Sequence, residues 1–273
     1  MKVDGQTLRL VAHPLASLYP HEETSEALLN SLSRRMAQEG VQRDPIIVDG
    51  TSKVILDGMH RHAALKSLGV RFAACFELDY MNDGIAVFRW LRYLRHPQQS
   101  TLVRVRTGLQ LSRELSANEA TSLVEARDSP VALLCGGRGF VGGASRAKED
   151  AWTIVREFDK IVTDCCEVME IVEEGRAKRL EEAQDSALLL TPRLTKEDVV
   201  DAGFKGRLFP LKTTLHVLPI RVVGVNVPLS SLMDKSEAEA AMERITSSAN
   251  LKVLNPPANY EGRLYKERLV ILA

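Results

Sequence analysis

Residues 54–69, VILDGMHRHAALKSLG, constrain the fold of this chain more than any other stretch. A short apolar run stops at Asp57-Gly58, and apolar residues then recur with helical spacing until Gly69. This pattern predicts a strand, a tight turn and a helix. Such a turn brings free backbone N–H groups and the positive end of a helix dipole to one point, which suits a phosphate group.

Three side chains add chemistry to this turn. Asp57 is a candidate Mg²⁺ ligand, His60 is a titratable imidazole, and Arg61 is a bidentate phosphate donor. The same residues also fit an ordinary capped helix, in which Asp57 is the cap, Gly58 the turn residue, and His60 and Arg61 solvated side chains. The local sequence supports an anion or nucleotide site and a plain helix start equally.

The turn resembles a motif of the ParB/sulfiredoxin-like superfamily, Gly-x-x-Arg-x-x-Ala between a strand and a helix, which here is Gly58, Arg61 and Ala64. Its Asp-Gly-x-His-Arg sequence is similar to the signature of the free L-serine kinases, a branch of that superfamily. The resemblance implies an α/β fold and phosphoryl transfer from ATP or ADP to free L-serine, giving O-phospho-L-serine. Met59 stands where sulfiredoxins carry their catalytic cysteine, which excludes thiol redox chemistry at that position.

A second similarity involves Glu22, which lies in a loop just before a predicted helix. Sequence physics alone favours an acidic residue there as a partner of the helix dipole. However, Pro20-His21-Glu22 resembles a segment of the archaeal serine kinase at the same place ahead of the Asp-Gly motif, and in that family the glutamate is the catalytic base. The resemblance therefore makes Glu22 the candidate base.

A third similarity lies in residues 209–219, FPLKTTLHVLP. Lys212, Thr213, Thr214 and His216 offer four hydrogen-bond donors to one anion, although an extended edge strand explains the stretch as well. The archaeal serine kinase carries Pro-Lys-Thr-Thr-Arg-His-Val-Leu-Pro in this place. Leu215 replaces the family arginine, so one cationic contact of the family is missing here.

The resemblance implies a role for each of these residues. Glu22 would take the proton of the serine hydroxyl, Mg²⁺ near Asp57 would bridge nucleotide phosphates, and the turn Gly58-Met59-His60-Arg61 would hold the transferred group. Four residues would bind the amino-acid carboxylate or the product phosphate: Lys212, Thr213, Thr214 and His216. Trp90, on a helix predicted over residues 84–95, is typical of core packing, but it resembles the tryptophan that lines the family's serine pocket.

The remaining pattern predicts two domains. Residues 1–96 form a ParB/sulfiredoxin-like nucleotide-binding domain, and residues 97–273 form a second α/β domain that completes the substrate site, with the active site in the cleft between them. Local signals predict a helix that Thr24 or Ser25 caps and that ends at Gly40, a hairpin over residues 45–56 and a strand over 72–78. A mostly helical stretch is predicted over residues 98–126, and the glycine-rich residues 136–143 fit a hairpin turn better than a phosphate-binding loop.

Composition limits the classes of partner. The chain has 36 basic and 36 acidic residues, so no strongly basic nucleic-acid surface is indicated. A ParB-type nucleotide-dependent DNA-binding protein is the alternative function, and it would need a helix-turn-helix reader and a basic face. No signal peptide or membrane span is expected, and the predicted location is the cytoplasm. The choice between ATP and ADP, the acceptor and the oligomeric state stay open.

Overall fold

The computed structural model describes residues 2–3, 6–142, 149–166, 169–176, 185–248 and 250–272. The chain forms two compact units. The first consists of residues 1–86, 199–206 and 216–273, and the second of residues 87–198 and 207–215. This division differs from the predicted boundary at residue 96, because the last part of the chain packs with the N-terminal unit.

The strands in chain order are β1 (Lys2–Val3), β2 (Gln6–Thr7), β3 (Arg9–Pro14), β4 (Val41–Gln42), β5 (Ile46–Asp49), β6 (Ile55–Asp57), β7 (Phe72–Leu78), β8 (Ala86–Arg95), β9 (Arg113–Ser116), β10 (Ala132–Cys135), β11 (Arg138–Val141), β12 (Glu170–Glu173), β13 (Ser186–Leu190), β14 (Thr214–Val217), β15 (Ile220–Val223), β16 (Val227–Pro228), β17 (Leu251–Leu254), β18 (Ala258–Tyr260), β19 (Arg263–Tyr265) and β20 (Arg268–Leu272). The α-helices are α1 (Glu26–Glu39), α2 (Met59–Ser67), α3 (Gln99–Gly108), α4 (Ala117–Glu125), α5 (Ala151–Cys165), α6 (Lys196–Lys205) and α7 (Lys235–Ser248). Short 3₁₀ helices span Leu15–Ser17 and Leu229–Met233.

The first unit is built on a four-stranded sheet with the order β3-β7-β5-β6. Strand β7 runs antiparallel to β3 and parallel to β5, and β5 forms an antiparallel hairpin with β6. Helices α1 and α2 pack against each other, and the sheet core contains the fully buried Ile46, Ile55 and Phe76. A second sheet, β15-β20-β17, pairs β15 and β20 in parallel.

The second unit is a seven-stranded sheet with the order β12-β8-β13-β10-β11-β9, and β14 pairs with β8. Its two faces are both covered. Leu94 packs with residues of α3 and α5 in one apolar cluster, whereas Leu91 and Tyr93 pack with residues of α4 in another. Neighbouring residues of β8 therefore face opposite sides of the sheet, as the two-residue period of a strand requires.

Several local predictions are confirmed. Helix α1 begins after Ser25, whose Oγ accepts the N–H of Leu28, and ends at Gly40 in the left-handed conformation. The hairpin β5–β6 and the strand β7 lie where they were expected. The glycine-rich stretch is a hairpin, because Gly136-Gly137 joins β10 to β11 with both residues at positive φ. The end of that stretch, Gly143, lies outside the described residues.

One helix prediction is wrong, and another is confirmed with an interruption. Residues 84–95, which carry Trp90, contribute the strand β8 instead of a helix. The stretch 98–126 is mostly helical as predicted, in α3 and α4, with β9 between them. Strand β8 lies inside the sheet between β12 and β13, where tertiary pairing overrides a helical spacing of apolar residues. None of the helices in the described ranges is long and apolar enough to cross a lipid bilayer.

Candidate functional site

Gly58 shapes the turn between β6 and α2. It is the N-cap residue of α2, with φ 108° and ψ 24°, a backbone conformation that residues other than glycine rarely adopt. A Cβ at this position would lie 2.9 Å from Nη2 and 3.0 Å from Nε of Arg61. The absence of a side chain at Gly58 therefore leaves room for the Arg61 guanidinium to lie directly against the turn.

Asp57 ends β6 and anchors two arginines. Its Oδ2 accepts a hydrogen bond from Nη2 of Arg61 at 3.0 Å and another from Nη1 of Arg221, which comes from β15. On its other side, Arg221 donates from Nε to Glu267. Burial alone would raise the pKa of Asp57, but the charges of Arg61 and Arg221 outweigh burial and hold that pKa far below its usual range. Asp57 is therefore an anion throughout the physiological pH range.

The charges of this cluster balance. Asp57 and Glu267 contribute two negative charges, and Arg61 and Arg221 contribute two positive charges. The hydrogen bonds do not balance, since Nε of Arg61 is buried and has no acceptor among the described residues. A buried N–H without an acceptor is costly, and a ligand oxygen would remove that cost.

His60 connects the starts of two helices. Its Nε2 accepts the backbone N–H of Ser25, the N-cap residue of α1, at 3.0 Å. An accepting Nε2 carries no proton, so this contact requires the neutral tautomer with the proton on Nδ1. His60 therefore ties the loop before α1 to the first turn of α2.

Glu22 lies in the segment that this contact holds. Tyr19 pairs with Val54 in a parallel bridge, and the N–H of Ile55 donates to the carbonyl of Tyr19 at 3.0 Å. Glu22 follows Tyr19 by three residues, as Asp57 follows Val54 by three residues. Glu22 is buried, and it lies three residues after the position that this bridge holds beside the start of β6.

Next to Glu22, His21 is fully buried and its ring contacts the ring of His216 edge to face, with centroids 5.4 Å apart. Burial, and to a smaller extent the neighbouring His216, lower the pKa of His21 to about 3. His216 in turn shares a hydrogen bond of 2.8 Å between its Nε2 and the hydroxyl of the fully buried Tyr80. His216 is thus oriented by an aromatic network within the first unit.

In the second unit, Lys212 and Trp90 form a cation–π pair. The Lys212 Nζ lies 4.3 Å from the centroid of the Trp90 ring, and the N–H of Trp90 donates to the carbonyl of Thr213. Buried Arg92 holds the same turn by donating to the carbonyls of Lys212 and Leu211, at 2.8 and 3.2 Å. These contacts fix the backbone at Lys212, which has a positive φ of 59°.

The two hydroxyl residues that follow Lys212 are buried. Thr213 donates from Oγ1 to the carbonyl of Pro210 at 2.7 Å, so its hydroxyl proton is already used in a hydrogen bond within the turn. Thr214 is the first residue of β14. The motif predicted at residues 212–216 thus contributes one charged side chain to the second unit, that of Lys212.

The predicted site residues fall into two groups, one on each unit. The first unit carries Glu22, Asp57, Gly58, Met59, His60, Arg61 and His216, and the second carries Trp90, Lys212, Thr213 and Thr214. Sequence reasoning missed Arg221, Glu267 and Arg92. The signal for Arg221 was its position inside the apolar run Ile220-Arg221-Val222-Val223, because a buried arginine requires a carboxylate partner.

Comparison with known proteins places this geometry in context. No protein-family model matches the chain. The chain is 27% identical over 227 residues to the ATP-dependent L-serine kinase of Desulfurococcus mucosus, covering 79% of this chain and 88% of that protein. It is 24% identical over 230 residues to the ADP-dependent L-serine kinase SerK of Thermococcus kodakarensis, covering 80% and 90% of the two chains. It is also 26% identical over 200 residues to a ParB-like protein of Sulfolobus acidocaldarius, covering 73% and 86%.

A solved structure, free serine kinase in complex with AMP, has the same fold. It superposes with a TM-score of 0.63 at 22% identity, covering 82% of this chain and 93% of that one. These matches confirm the α/β fold class and the similarity to proteins named L-serine kinases that the sequence indicated.

Proposed function

We propose that this chain is a free L-serine kinase, which transfers a phosphoryl group from ATP or ADP to the hydroxyl of L-serine and releases O-phospho-L-serine. The relatives named L-serine kinases span most of the chain. The observation that carries the proposal is the turn at Gly58, where a glycine with positive φ, the first turn of α2 and the Arg61 guanidinium meet beside Asp57. This is the chemistry that binds a phosphate group.

In the proposed reaction, the serine oxygen forms a bond to the phosphorus, and the bond from that phosphorus to the nucleotide oxygen breaks. Glu22 accepts the proton that the serine hydroxyl loses. Its segment is fixed on both sides, through Tyr19 and Ser25, so the carboxylate has little freedom. Arg61 and the uncapped N–H groups at the start of α2 bind the transferred group and its developing charge.

Mg²⁺ fits this cluster at one oxygen. Both arginines contact Oδ2 of Asp57, while Oδ1 has no hydrogen-bond partner among the described residues. Asp57 would hold Mg²⁺ through this one carboxylate, since proteins often bind this ion together with substrate phosphates and water. When bound, Mg²⁺ would neutralise the phosphate charge that a cluster of zero net charge leaves uncompensated.

The serine-binding roles rest on the second unit and on His216. We propose that Lys212, positioned over Trp90 and by the contacts of Arg92, binds the carboxylate of serine or the phosphate of the product. Thr213, Thr214 and His216 complete this set of polar groups. The product would serve cysteine synthesis or a specialised, siderophore-like amino-acid pathway in the cytoplasm, where both donor nucleotides are available.

The test is a screen of purified protein with Mg²⁺, each of several nucleotides and each of several hydroxy amino acids, followed by phosphorus NMR. We expect a phosphoserine resonance with L-serine and either ATP or ADP. No phosphorylated amino acid with any pair would refute the proposal. Specific binding of duplex DNA coupled to nucleotide hydrolysis would instead favour the ParB-like alternative, which the neutral charge of the chain disfavours.

A further inference from the structure

Arg221 is the arginine of the site that no sequence motif marked. It lies on β15 with only 9% of its side chain exposed, and it joins Glu267, just before β20, to Asp57 at the end of β6. A buried arginine between two carboxylates has a simple structural explanation, because each charge neutralises another. The hydrogen bonds of the cluster indicate a ligand-binding role in addition to this structural one.

The cluster contains more donors than acceptors. Arg61 and Arg221 both donate to the same oxygen, Oδ2 of Asp57. The Nη2 group of Arg221 makes no hydrogen bond with any described residue, and the Nε of Arg61 is buried without an acceptor. A purely structural cluster would satisfy the buried Nε of Arg61, since an unsatisfied buried donor costs stability. The Nη2 of Arg221 is not among the buried atoms that lack a partner, so it is accessible to a ligand.

A phosphoryl group supplies what is missing. It carries three acceptor oxygens and matches the planar fork of a guanidinium better than any neutral group does. Two guanidiniums separated by one carboxylate, at the uncapped start of a nine-residue helix, form a site for such an anion.

We propose that Arg221 is a second phosphate-binding residue of this site, that its Nη2 contacts the phosphoryl group that is transferred, and that Glu267 is the positioning residue that orients its guanidinium. This proposal rests on the proposed kinase function, and it adds a contact that grows stronger as charge develops on the phosphoryl oxygens during transfer.

The test is calorimetry with AMP, ADP and ATP in the presence of Mg²⁺, on wild type and on Arg221→Gln. The quantity of interest is the affinity ratio between the donor nucleotide and the same nucleotide shortened by one phosphate. We expect Arg221→Gln to reduce this ratio by roughly 10- to 100-fold, the value of a hydrogen bond between charged groups. The control is Arg34→Gln, an exposed arginine on α1 that should keep the wild-type ratio.

A structural role predicts a different result, namely equal loss of affinity for all three nucleotides, and this outcome would overturn the proposal. If Arg221→Gln does not fold, Arg221→Lys keeps the positive charge beside Asp57 but lacks the fork, and it should show the same reduced ratio. Glu267→Gln should reduce the ratio by a smaller factor.

The two proposals fail separately. A wild-type protein that makes phosphoserine, together with an Arg221→Gln variant of unchanged ratio, removes only Arg221 from the site. A wild-type protein whose nucleotide ratio depends on Arg221 but which makes no phosphoserine refutes only the serine kinase assignment. A wild-type protein that binds no nucleotide refutes both.

Discussion

Replacing Gly58 by alanine tests whether the turn exists to hold Arg61. The change has two separable costs. The first is backbone strain, because an alanine in a left-handed conformation costs about 1–2 kcal/mol, and φ 108° is far from the conformation that alanine tolerates best. The second is steric, since the new Cβ would lie 2.9 Å from Nη2 of Arg61, so the guanidinium must shift. We expect this shift to break its hydrogen bond to Asp57.

The chain offers a matched control at the other end of α2. Gly69 also has a positive φ, of 70°, but nothing lies within 4 Å of a Cβ built there. Gly69→Ala therefore incurs the backbone cost alone. Displacing Arg61 adds about 1 kcal/mol for the lost hydrogen bond to Asp57, and φ 108° strains alanine more than φ 70° does, so Gly58→Ala should be less stable than Gly69→Ala by at least about 1 kcal/mol.

The functional effect should be larger than the effect on stability. With Arg61 displaced, affinity for the donor nucleotide should fall by roughly tenfold or more in Gly58→Ala, while Gly69→Ala should bind as wild type does. Urea unfolding gives the stability difference, and calorimetry gives the affinities. Equal nucleotide affinity in the two alanine variants would refute the reasoning, because it would mean that the position of Arg61 does not matter for binding.

Three further predictions concern neighbouring residues. Glu22→Gln should lower kcat by roughly 10²–10⁴-fold with nucleotide affinity and melting temperature retained, whereas Glu23→Gln should keep its turnover; near-normal turnover in Glu22→Gln leaves the mechanism without a base. Asp57→Asn should weaken binding of the Mg²⁺–nucleotide complex more than binding of the nucleotide alone, as titrations with and without Mg²⁺ would show, and equal weakening would exclude Asp57 as the metal ligand. The pKa of buried His21 is lowered from 6.5 to about 3, so between these pH values the unfolded chain binds a proton that the folded chain does not. The contribution of neutral His21 to the free energy of unfolding should therefore be fully present above pH 6.5 and should fall by roughly 1.4 kcal/mol for each pH unit below it. Urea unfolding at several pH values checks this, and a slope that is the same in His21→Gln would contradict it.

Local signals predicted the central turn well. The end of an apolar run at Asp57-Gly58, a helical repeat and a closing Gly69 are all contained in one short segment, so no distant partner was needed to find β6 and α2. Helix α1 was equally accessible, because Ser25 and Gly40 mark its two ends.

The strand β8 was missed because the spacing of its apolar residues fits a helix as well as a strand. Val87, Leu91 and Leu94 have helical spacing, yet Leu91 and Leu94 bury opposite faces of a sheet. A strand covered on both faces loses the polar–apolar alternation that identifies a strand, and only its pairing with β12 and β13 decides between the two structures.

Arg221 and Glu267 could not have been assigned to the site from local pattern. Arg221 is 164 residues from Asp57 in the chain, and the contact exists only because residues 216–273 pack with the N-terminal unit. The sequence contains the requirement that a buried arginine be paired, but not the identity of its partner.

The discontinuous path of the chain also has a consequence for synthesis. Residues 87–198 and 207–215, which make up the second unit, are translated before Arg221, Glu267 and β20. The second unit can therefore fold while the N-terminal segment still lacks part of its own structure, in contrast to the usual order in which N-terminal domains fold first. Until Glu267 has emerged, Asp57 lacks half of its charge cluster, so a nascent chain held at about residue 215 would carry the turn at Gly58 without the complete ion-pair network around it.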